Sequence, residues 1–436
     1  MSNLSPREEY LIYEYGIDPE IIRLVDEAEE SLKDRFSKLD EVTEYHQLRV
    51  LKAFQSNYIS DMHFAWNTGY GYDDVGREGV EKVFADVFMA EDALVRTNIV
   101  NGTHAISTAM LGALRPGEKI IYATGMPYDT MQSVIGVNPD MYKKGDGSLR
   151  DYGIQFDYVD LKEDNSIDLD DLKSLVDDNT RVIAVQRSMG YGWRNSISVN
   201  QIELLCDFVR GLDRDDLIVL VDNCYCEFID EREPIAAGAD LVCGSLIKNP
   251  GGGLALSGGY IAGKKELIEQ ISFRLTCPGI GRECGLTYGQ SRNMLQGLFF
   301  APKVTNGALK GAMLLGKTFE KLGFPICPGV DDVRSDIIQA VELGRPEAVE
   351  AFCLGVQQAA PIDSHVTPVP APMPGYEDKV IMAAGTFVQG SSIELSCDAP
   401  MREPYNAYFQ GGLTYEHSKF GIIKSLDNLK KSGIIK

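Results

Sequence analysis

A lysine stands where an apolar run gives way to a run of glycines. Lys248 comes shortly after the apolar run Ala239–Ser245 and directly before Asn249–Gly253, which ends in three consecutive glycines. A lysine amine at a strand end can form a Schiff base with a carbonyl group, and glycines let the backbone approach a ligand closely. A surface lysine beside an ordinary turn is the alternative, and Lys248 alone leaves both interpretations open.

An aspartate ends another strongly apolar run. Asp222 follows Leu217–Val221, and an acid at that point lies at the carboxyl edge of a sheet, where open α/β sheets bind ligands. A buried carboxylate opposite a pyridine nitrogen keeps that nitrogen protonated, which makes the ring an electron sink. A helix-capping aspartate is the alternative, and the presence of Lys248 favours the first interpretation.

Groups suited to a phosphate and to an aromatic ring complete this set. Gly102 and Thr103 open a helix, where free backbone N–H groups and a hydroxyl can bind a phosphate. Ser245 offers a further hydroxyl, and Tyr128 follows a strand end and could stack on a cofactor ring or pack in the core. Taken together with Asp222 and Lys248, these residues predict that pyridoxal 5′-phosphate (PLP) is bound to the lysine. They also predict that the substrate is an amino acid.

Two loops rich in glycine could also contact an anion. The loop Trp66–Asp74 carries Tyr70 and Tyr72, whose hydroxyls could hydrogen-bond a phosphate. The loop Thr276–Gly285 carries Arg282, which suits closure over an anion. Core packing for the tyrosines and an ordinary connecting loop for the arginine are equally compatible with the sequence.

Apolar runs separated by helical stretches indicate the elements that position these residues. Several runs are continuous and rich in β-branched residues, as in strands buried on both faces, so a mainly parallel α/β sheet is expected. The predicted strands are Ala93–Thr97, Lys119–Ala123, Ile154–Val159, Val182–Gln186, Ile218–Asp222, Leu241–Ser245 and Gly259–Ala262.

The remaining segments predict two flanking regions. Helix starts at Ser5-Pro6 and Asp18-Pro19 indicate an N-terminal helical arm over residues 1–60, before a large α/β domain over 61–300. A smaller C-terminal α+β domain is expected over 301–436. Its predicted parts are the helices Ala308–Leu322, Pro346–Gln358 and Leu413–Lys430, the strands Val380–Phe387 and Ser392–Ser396, and a proline-rich stretch Thr367–Pro374.

Composition limits the classes of function. The 436 residues include 42 Lys and Arg against 64 Asp and Glu, a formal charge of −22 that disfavours nucleic acid and anionic membranes as partners. The 9 cysteines form no CxxC pair and the 5 histidines have no zinc-ligand spacing, so we expect reduced thiols and no metal site. The N-terminus lacks a signal-peptide pattern and no apolar run is long enough to span a membrane, which favours the cytoplasm.

With these residues in view, the chain resembles fold-type-I PLP enzymes of the cystathionine and methionine lyase clan. More narrowly, it is similar to bacterial methionine gamma-lyase-like or cystathionine beta-lyase-like "aluminium resistance" proteins. The runs Gly244–Gly253 and Val380–Ser396 are specific to that resemblance. It implies a fold-type-I transferase-like architecture with a seven-stranded type of sheet and a smaller C-terminal domain.

The resemblance also implies residue roles. Lys248 matches the Schiff-base lysine and Asp222 the partner of the pyridine nitrogen, while the phosphate and ring contacts match Gly102, Thr103, Ser245 and Tyr128. Tyr70 and Tyr72 lie where the clan's loop reaches the phosphate of a neighbouring subunit. That loop usually carries an arginine, which is missing here, and Arg282 is a candidate for its role. The strand Ile393–Ser396 lacks the usual substrate-carboxylate arginine, for which Arg402 is the expected substitute.

The activity implied by the resemblance is β- or γ-elimination on a sulfur amino acid such as methionine or cystathionine, giving a 2-oxo acid, ammonia and a thiol. Elimination or replacement with an oxygen, nitrogen or halide leaving group is an alternative. A regulatory protein that binds PLP without turnover is another, although binding alone does not need an electron sink. A homo-oligomer, most simply a tetramer built from two dimers, is expected.

Overall fold

The computed structural model describes residues 4–138, 142–373, 376 and 378–436. Its α-helices in chain order are α1 Pro6–Tyr13, α2 Pro19–Glu30, α3 Lys33–Ser56, α4 Val75–Phe88, α5 Gly102–Ala113, α6 Asp129–Ile135, α7 Leu169–Leu175, α8 Val199–Arg210, α9 Lys265–Leu275, α10 Ser291–Lys321, α11 Pro346–Ala359 and α12 Tyr415–Lys431. Its strands are β1 Asp92–Arg96, β2 Lys119–Tyr122, β3 Gln155–Tyr158, β4 Thr180–Gln186, β5 Ile218–Asp222, β6 Leu241–Ser245, β7 Gly259–Gly263, β8 Ile326–Cys327, β9 Gln339–Glu342, β10 Val380–Ala384, β11 Ser396–Pro400 and β12 Asn406–Gln410.

The chain divides into two compact units. The larger unit contains Thr43–Pro302 and Arg334–Asp336, and it carries the seven-stranded sheet. The second unit contains the described chain up to Val42 together with Lys303–Val333 and Ile337–Lys436. The described segment up to Val42 therefore groups with the C-terminal part of the chain, whereas the sequence predicted a helical arm over 1–60.

The predicted mainly parallel sheet is confirmed. Its strand order is β1-β7-β6-β5-β4-β2-β3, with parallel pairing from β6 through to β3 and antiparallel pairing of β7 with both neighbours. The seven predicted strands all occur, with ends within two residues of those expected. The carboxyl ends of β2, β4, β5 and β6 consequently lie along one edge of the sheet.

Apolar side chains on both faces explain why these strands form. In β5, Ile218 and Leu220 pack in one buried cluster, while Val219 and Val221 pack in the cluster on the opposite face. Burying one such side chain stabilises the fold by about 1.5–3 kcal/mol. A strand with no polar face must be covered by helices on both sides, and this arrangement leaves only its end free to carry a functional group.

The second unit holds a five-stranded antiparallel sheet in the order β10-β11-β12-β9-β8. The predicted strand Ser392–Ser396 is wrong, because pairing begins only at Ser396. The side chains of Ile393, Glu394 and Leu395 in this segment are all buried. The Glu394 carboxylate accepts hydrogen bonds from two backbone N–H groups of residues 387 and 388.

Helix starts follow the capping residues. The Ser5 hydroxyl accepts from the Glu8 N–H while the Glu8 carboxylate accepts from the Ser5 N–H, and Asp18 caps the next helix. Both predicted starts are confirmed.

The predicted helix Ala308–Leu322 is the second half of α10, which continues through Pro302. Residue 374 of the proline-rich stretch lies outside the described residues. Among the helices that the structure describes, none has the length and apolarity needed to cross a membrane.

Candidate active site

Two neighbouring strands deliver Asp222 and Lys248 to the same edge of the sheet. Asp222 is the last residue of β5 and pairs in register with Cys243 of β6, whose last residue is Ser245. The chain then turns, so that the Lys248 N–H donates to the Ser245 carbonyl at 3.4 Å and the Gly251 N–H donates to the Lys248 carbonyl at 3.2 Å. A side chain at position 251 would begin 1.6 Å from the Leu246 carbonyl oxygen, so this turn requires glycine.

The Lys248 amine lies over an aromatic ring. Its Nζ is 3.9 Å from the centroid of the Tyr225 ring, a distance at which a cation is attracted to the ring face. Burial lowers the pKa of Lys248, but its interactions with Cys224, Tyr225, Asp222 and Tyr128 together raise it above the ordinary value. The amine is therefore held as a cation.

Asp222 is the acid that faces this amine. Its side chain is buried, and Oδ1 accepts a hydrogen bond of 3.1 Å from the Cys224 N–H. Burial raises the pKa of the Asp222 carboxyl, while the positive charge of Lys248 and the Cys224 N–H act in the opposite direction. A cation placed near Asp222 is thus stabilised in an environment that otherwise disfavours charge.

The start of α5 reaches the same place. A side chain at Gly102 would begin 2.9 Å from Cys224 Sγ and 3.5 Å from Ser245 Cβ, so the helix N-terminus lies against the end of β6. Thr103 Oγ1 and the Tyr128 hydroxyl are 2.9 Å apart, and the Tyr128 N–H donates to Gln186 Oε1 at 3.0 Å. Burial, with a further contribution from the Asp222 charge, raises the pKa of Tyr128, which keeps its hydroxyl neutral.

Six of the predicted residues therefore come together at one edge of the sheet, namely Lys248, Asp222, Tyr128, Gly102, Thr103 and Ser245. The set combines an amine, a carboxylate, a ring, hydroxyls and the N–H groups of a helix start. Such a set could hold a flat cationic heterocycle through the ring and the carboxylate, and a phosphate at the helix start.

Tyr70 and Tyr72 lie on the surface of the larger unit. Their rings stack on each other with centroids 5.3 Å apart, and 68% and 59% of the two residues are exposed. The Tyr70 carbonyl accepts from the Gly285 N–H, and a hydrogen bond to Cys284 raises the pKa of Tyr72. The aromatic loop Trp66–Asp74 and the loop Thr276–Gly285 are thus joined, and no contact between these tyrosines and Lys248 occurs among the described residues.

Arg282 is engaged elsewhere. Its guanidinium forms ion pairs with Asp92 and with Glu81 Oε2, the latter at 2.9 Å, and donates to the Ala93 carbonyl. Glu81 also binds Arg96, which donates to carbonyls of the loop Thr276–Gly285. The structure gives Arg282 the task of holding this loop against β1, and it does not bring the guanidinium to the Lys248 cluster.

Arg402 lies in the second unit at an exposed position. Its guanidinium pairs with Asp378 Oδ2 at 3.1 Å. A partner at the surface does not preclude a role in binding a carboxylate, and that role stays a prediction.

Sequence reasoning missed the segment that directly follows Asp222. Tyr225 supplies the ring beneath Lys248 and has a φ of +64°, a conformation that is uncommon for a residue other than glycine. Cys224 fills the space between Asp222 and Gly102. The available signal was position, since Asn223–Glu227 follows a buried strand end without any turn residue such as glycine or proline.

A mainly parallel seven-stranded sheet with a lysine and an aspartate at its carboxyl edge defines the class: the fold is that of the fold-type-I PLP-dependent enzymes. The pyridoxal-5′-phosphate dependent protein YhfS from Escherichia coli has this fold, with a TM-score of 0.60 at 19% identity over 89% of this chain and 96% of that one.

The family model for methionine gamma-lyase matches residues 21–430, so the chain belongs to the methionine gamma-lyase family. It is 49% identical to YnbB of Bacillus subtilis (strain 168) over 94% of this chain and 96% of that protein. It is also similar to a carbon-sulfur lyase involved in aluminum resistance from Clostridium novyi NT, with a TM-score of 0.93, 45% identity, and coverage of 98% of this chain and 100% of that structure.

Proposed function

We propose that this chain is a PLP-dependent carbon–sulfur lyase that removes a thiol from the β or γ carbon of a sulfur amino acid such as methionine or cystathionine. The overall reaction consumes one water and gives a 2-oxo acid, ammonia and the thiol. The convergence of Lys248 and Asp222 at the carboxyl edge of the sheet is the observation that carries the proposal.

The residues present fit this cofactor. Lys248 Nζ would hold its aldehyde carbon, and the buried Asp222 carboxylate would face the protonated ring nitrogen. The phosphate would lie at the start of α5 on Gly102 and Thr103, with the Ser245 hydroxyl beside it, and the Tyr128 ring would stack on the cofactor. PLP bound in this way withdraws electrons from the substrate Cα and so makes its proton acidic.

Lys248 would have a second task whenever its amine is free. Its freed Nζ would take the proton from the substrate Cα as a general base, and for γ-elimination it would also move a proton from Cβ. The Tyr225 ring packs against this amine and so helps to hold it in position. Tyr128, neutral at ordinary pH, could donate a proton to the departing sulfur.

We further propose a homo-oligomer, most simply a tetramer of two dimers, in which Tyr70 and Tyr72 reach the cofactor phosphate of a neighbouring subunit. Large exposed aromatic side chains side by side are uncommon on surfaces that face only water. A shared site would link cofactor affinity to assembly, because a ligand that binds only the assembled form favours assembly.

A substrate screen tests the activity. Purified protein supplied with PLP is incubated with a panel of β- and γ-substituted amino acids, and 2-oxo acid, thiol and ammonia are measured together. We expect equal amounts of the three products from at least one sulfur amino acid, and none from Lys248→Ala. Release of 2-oxo acid and ammonia without thiol would instead indicate a different leaving group, and no turnover of any substrate would contradict the proposal.

A further inference from the structure

A second buried carboxyl group lies beneath the Lys248 turn. Glu227 is fully buried, and its carbonyl accepts a hydrogen bond of 3.1 Å from Nδ2 of Asn249, the residue that follows the lysine. Its carboxyl group lies against β6, because a side chain at Gly244 would begin 2.7 Å from Glu227 Oε1. Glu227 thus joins the segment that begins at Asp222 to the turn that carries Lys248.

A chain of donors fixes how the Glu227 carboxyl is bound. Arg187 donates to Asn223 Oδ1 at 2.6 Å, which orients the amide so that its nitrogen donates to Glu233 and to the Tyr260 hydroxyl. The Tyr260 hydroxyl must then donate its own proton to Glu227 Oε1, at 2.8 Å. The other oxygen, Glu227 Oε2, is buried and has no hydrogen-bond partner among the described residues.

The neighbouring acid is bound differently. Burial raises the pKa of Glu233 as well, but the charge of Arg187 acts against this rise, and both carboxylate oxygens accept hydrogen bonds, one from the Phe228 N–H and the other from Asn223. An ionised carboxylate with one bare oxygen costs far more in a dry interior than a neutral acid does. Of these two acids, Glu233 is therefore suited to carry a negative charge, and Glu227 is suited to remain protonated on Oε2.

We propose that Glu227 is a positioning residue for Lys248, an uncharged carboxylic acid that ties the Asp222–Glu227 segment to β7 through Tyr260 without adding a negative charge beside the amine. This proposal rests on the proposed function for its consequence in catalysis. An ionised Glu227 would stabilise the protonated amine, and a protonated amine cannot act as a base.

Charged and titratable groups surround Glu227, and burial outweighs those that favour its ionised form. They come from each element packed on it: Tyr260 of β7, Glu233 in the following turn, Lys248 after β6, and Cys224 and Cys226 on its own segment. Burial raises the pKa of Glu227 to about 8, against the lowering effects of its own backbone N–H, of Tyr260 and of Lys248. The contribution that neutral Glu227 makes to the free energy of unfolding is therefore present at low pH and is lost as the pH rises toward 8.

The test compares Glu227→Gln, a neutral side chain of the same shape, with Glu227→Leu, which removes the acceptor for Tyr260. Glu203→Gln, at a half-buried glutamate paired with Arg232, is the matched control. At pH 7 we expect Glu227→Gln to keep kcat within about threefold of wild type and Glu227→Leu to lose at least about tenfold, since only the latter leaves a buried donor unsatisfied.

A second readout does not need the cofactor. The melting temperature of the cofactor-free protein should fall in the wild type and in Glu203→Gln between pH 6 and 9, and Glu227→Gln should remove part of that fall. The proposal would be overturned if Glu227→Gln lost as much activity as Glu227→Leu. It would also be overturned if the melting temperature of Glu227→Gln depended on pH as steeply as that of the wild type. If Glu227→Leu fails to fold, Glu227→Gln alone decides. If the wild type neither binds PLP nor turns over substrate, the proposed function fails, and the melting curves still test Glu227.

Discussion

Asp222→Asn separates the catalytic from the structural contribution of the buried acid. Asparagine has the same shape and can still accept the hydrogen bond from the Cys224 N–H, but it carries no charge. A pair of unit charges about 4 Å apart at an effective dielectric constant of about 20 interacts by about 4 kcal/mol. If Asp222 faces a protonated ring nitrogen, losing that interaction should slow the reaction by about a thousandfold.

Folding should respond weakly to the same change. Burial raises the pKa of the Asp222 carboxyl, so its charge already costs stability, and the lost attraction to Lys248 offsets the relief that asparagine brings. We expect the melting temperature of the cofactor-free protein to change by no more than about 1 °C, which corresponds to about 1 kcal/mol for a chain of this length. The assay measures kcat from 2-oxo acid release at saturating substrate and PLP, alongside thermal melting without cofactor.

Asp240 provides the matched control. It is a buried aspartate just before β6, paired with Lys264 at 2.6 Å and with Arg210 at 2.9 Å, at the opposite end of the strand from Ser245. Asp240→Asn should lower the melting temperature while kcat of the folded enzyme stays within about threefold, because the ion pairs stabilise the fold and not the reaction. A loss below about tenfold in Asp222→Asn, or an equal loss in both variants, would show that Asp222 has no special electrostatic role.

Three further predictions follow from the same structure. Lys248→Ala should lose the absorbance near about 420 nm expected of lysine-bound PLP, together with nearly all turnover; a variant that keeps the wild-type rate would end the proposed mechanism. Tyr72→Phe should raise the dissociation constant for PLP, measured by titration, while light scattering still shows an oligomer; a stable monomer that binds PLP as tightly would refute the shared site. Burial lowers the pKa of His46 to about 4, and its Nε2 bonds the Asp230 carbonyl. The free energy of unfolding should therefore fall by up to about 3 kcal/mol as the pH drops from 6.5 toward 4. Denaturant unfolding against pH measures this loss, which His46→Gln should lack.

Much of the fold could be predicted because its signal is local. Continuous apolar runs such as Leu217–Val221 can only be strands buried on both faces, and the structure confirms every predicted strand of the large sheet. The six clustered residues could be predicted as a group for the same reason. Parallel strands bring their carboxyl ends to one edge, so residues such as Asp222 and Lys248, far apart in the chain, must lie there together.

The contacts of individual side chains could not be predicted from such local patterns. Arg282 in a glycine-rich loop looks like an anion ligand, yet Glu81 and Asp92, which are distant in sequence, take its charge. Glu394 lies in a segment predicted to be a strand, yet its carboxylate accepts hydrogen bonds from the backbone of a preceding loop. A charged side chain binds whichever opposite charge or N–H group the fold places beside it, and the sequence does not show that neighbour.

By itself, then, the amino-acid sequence determined the strands of the mainly parallel sheet and the residue types that meet at its carboxyl edge. Hydrophobic burial and strand direction depend on patterns within each segment. Only the tertiary structure decided that Tyr225 lies under the Lys248 amine, that Arg282 is held by two acids, and that Glu227 has one oxygen bonded and one bare. These outcomes depend on distances between segments far apart in the chain, and the energy of a buried charge changes by several kcal/mol with the presence or absence of one partner.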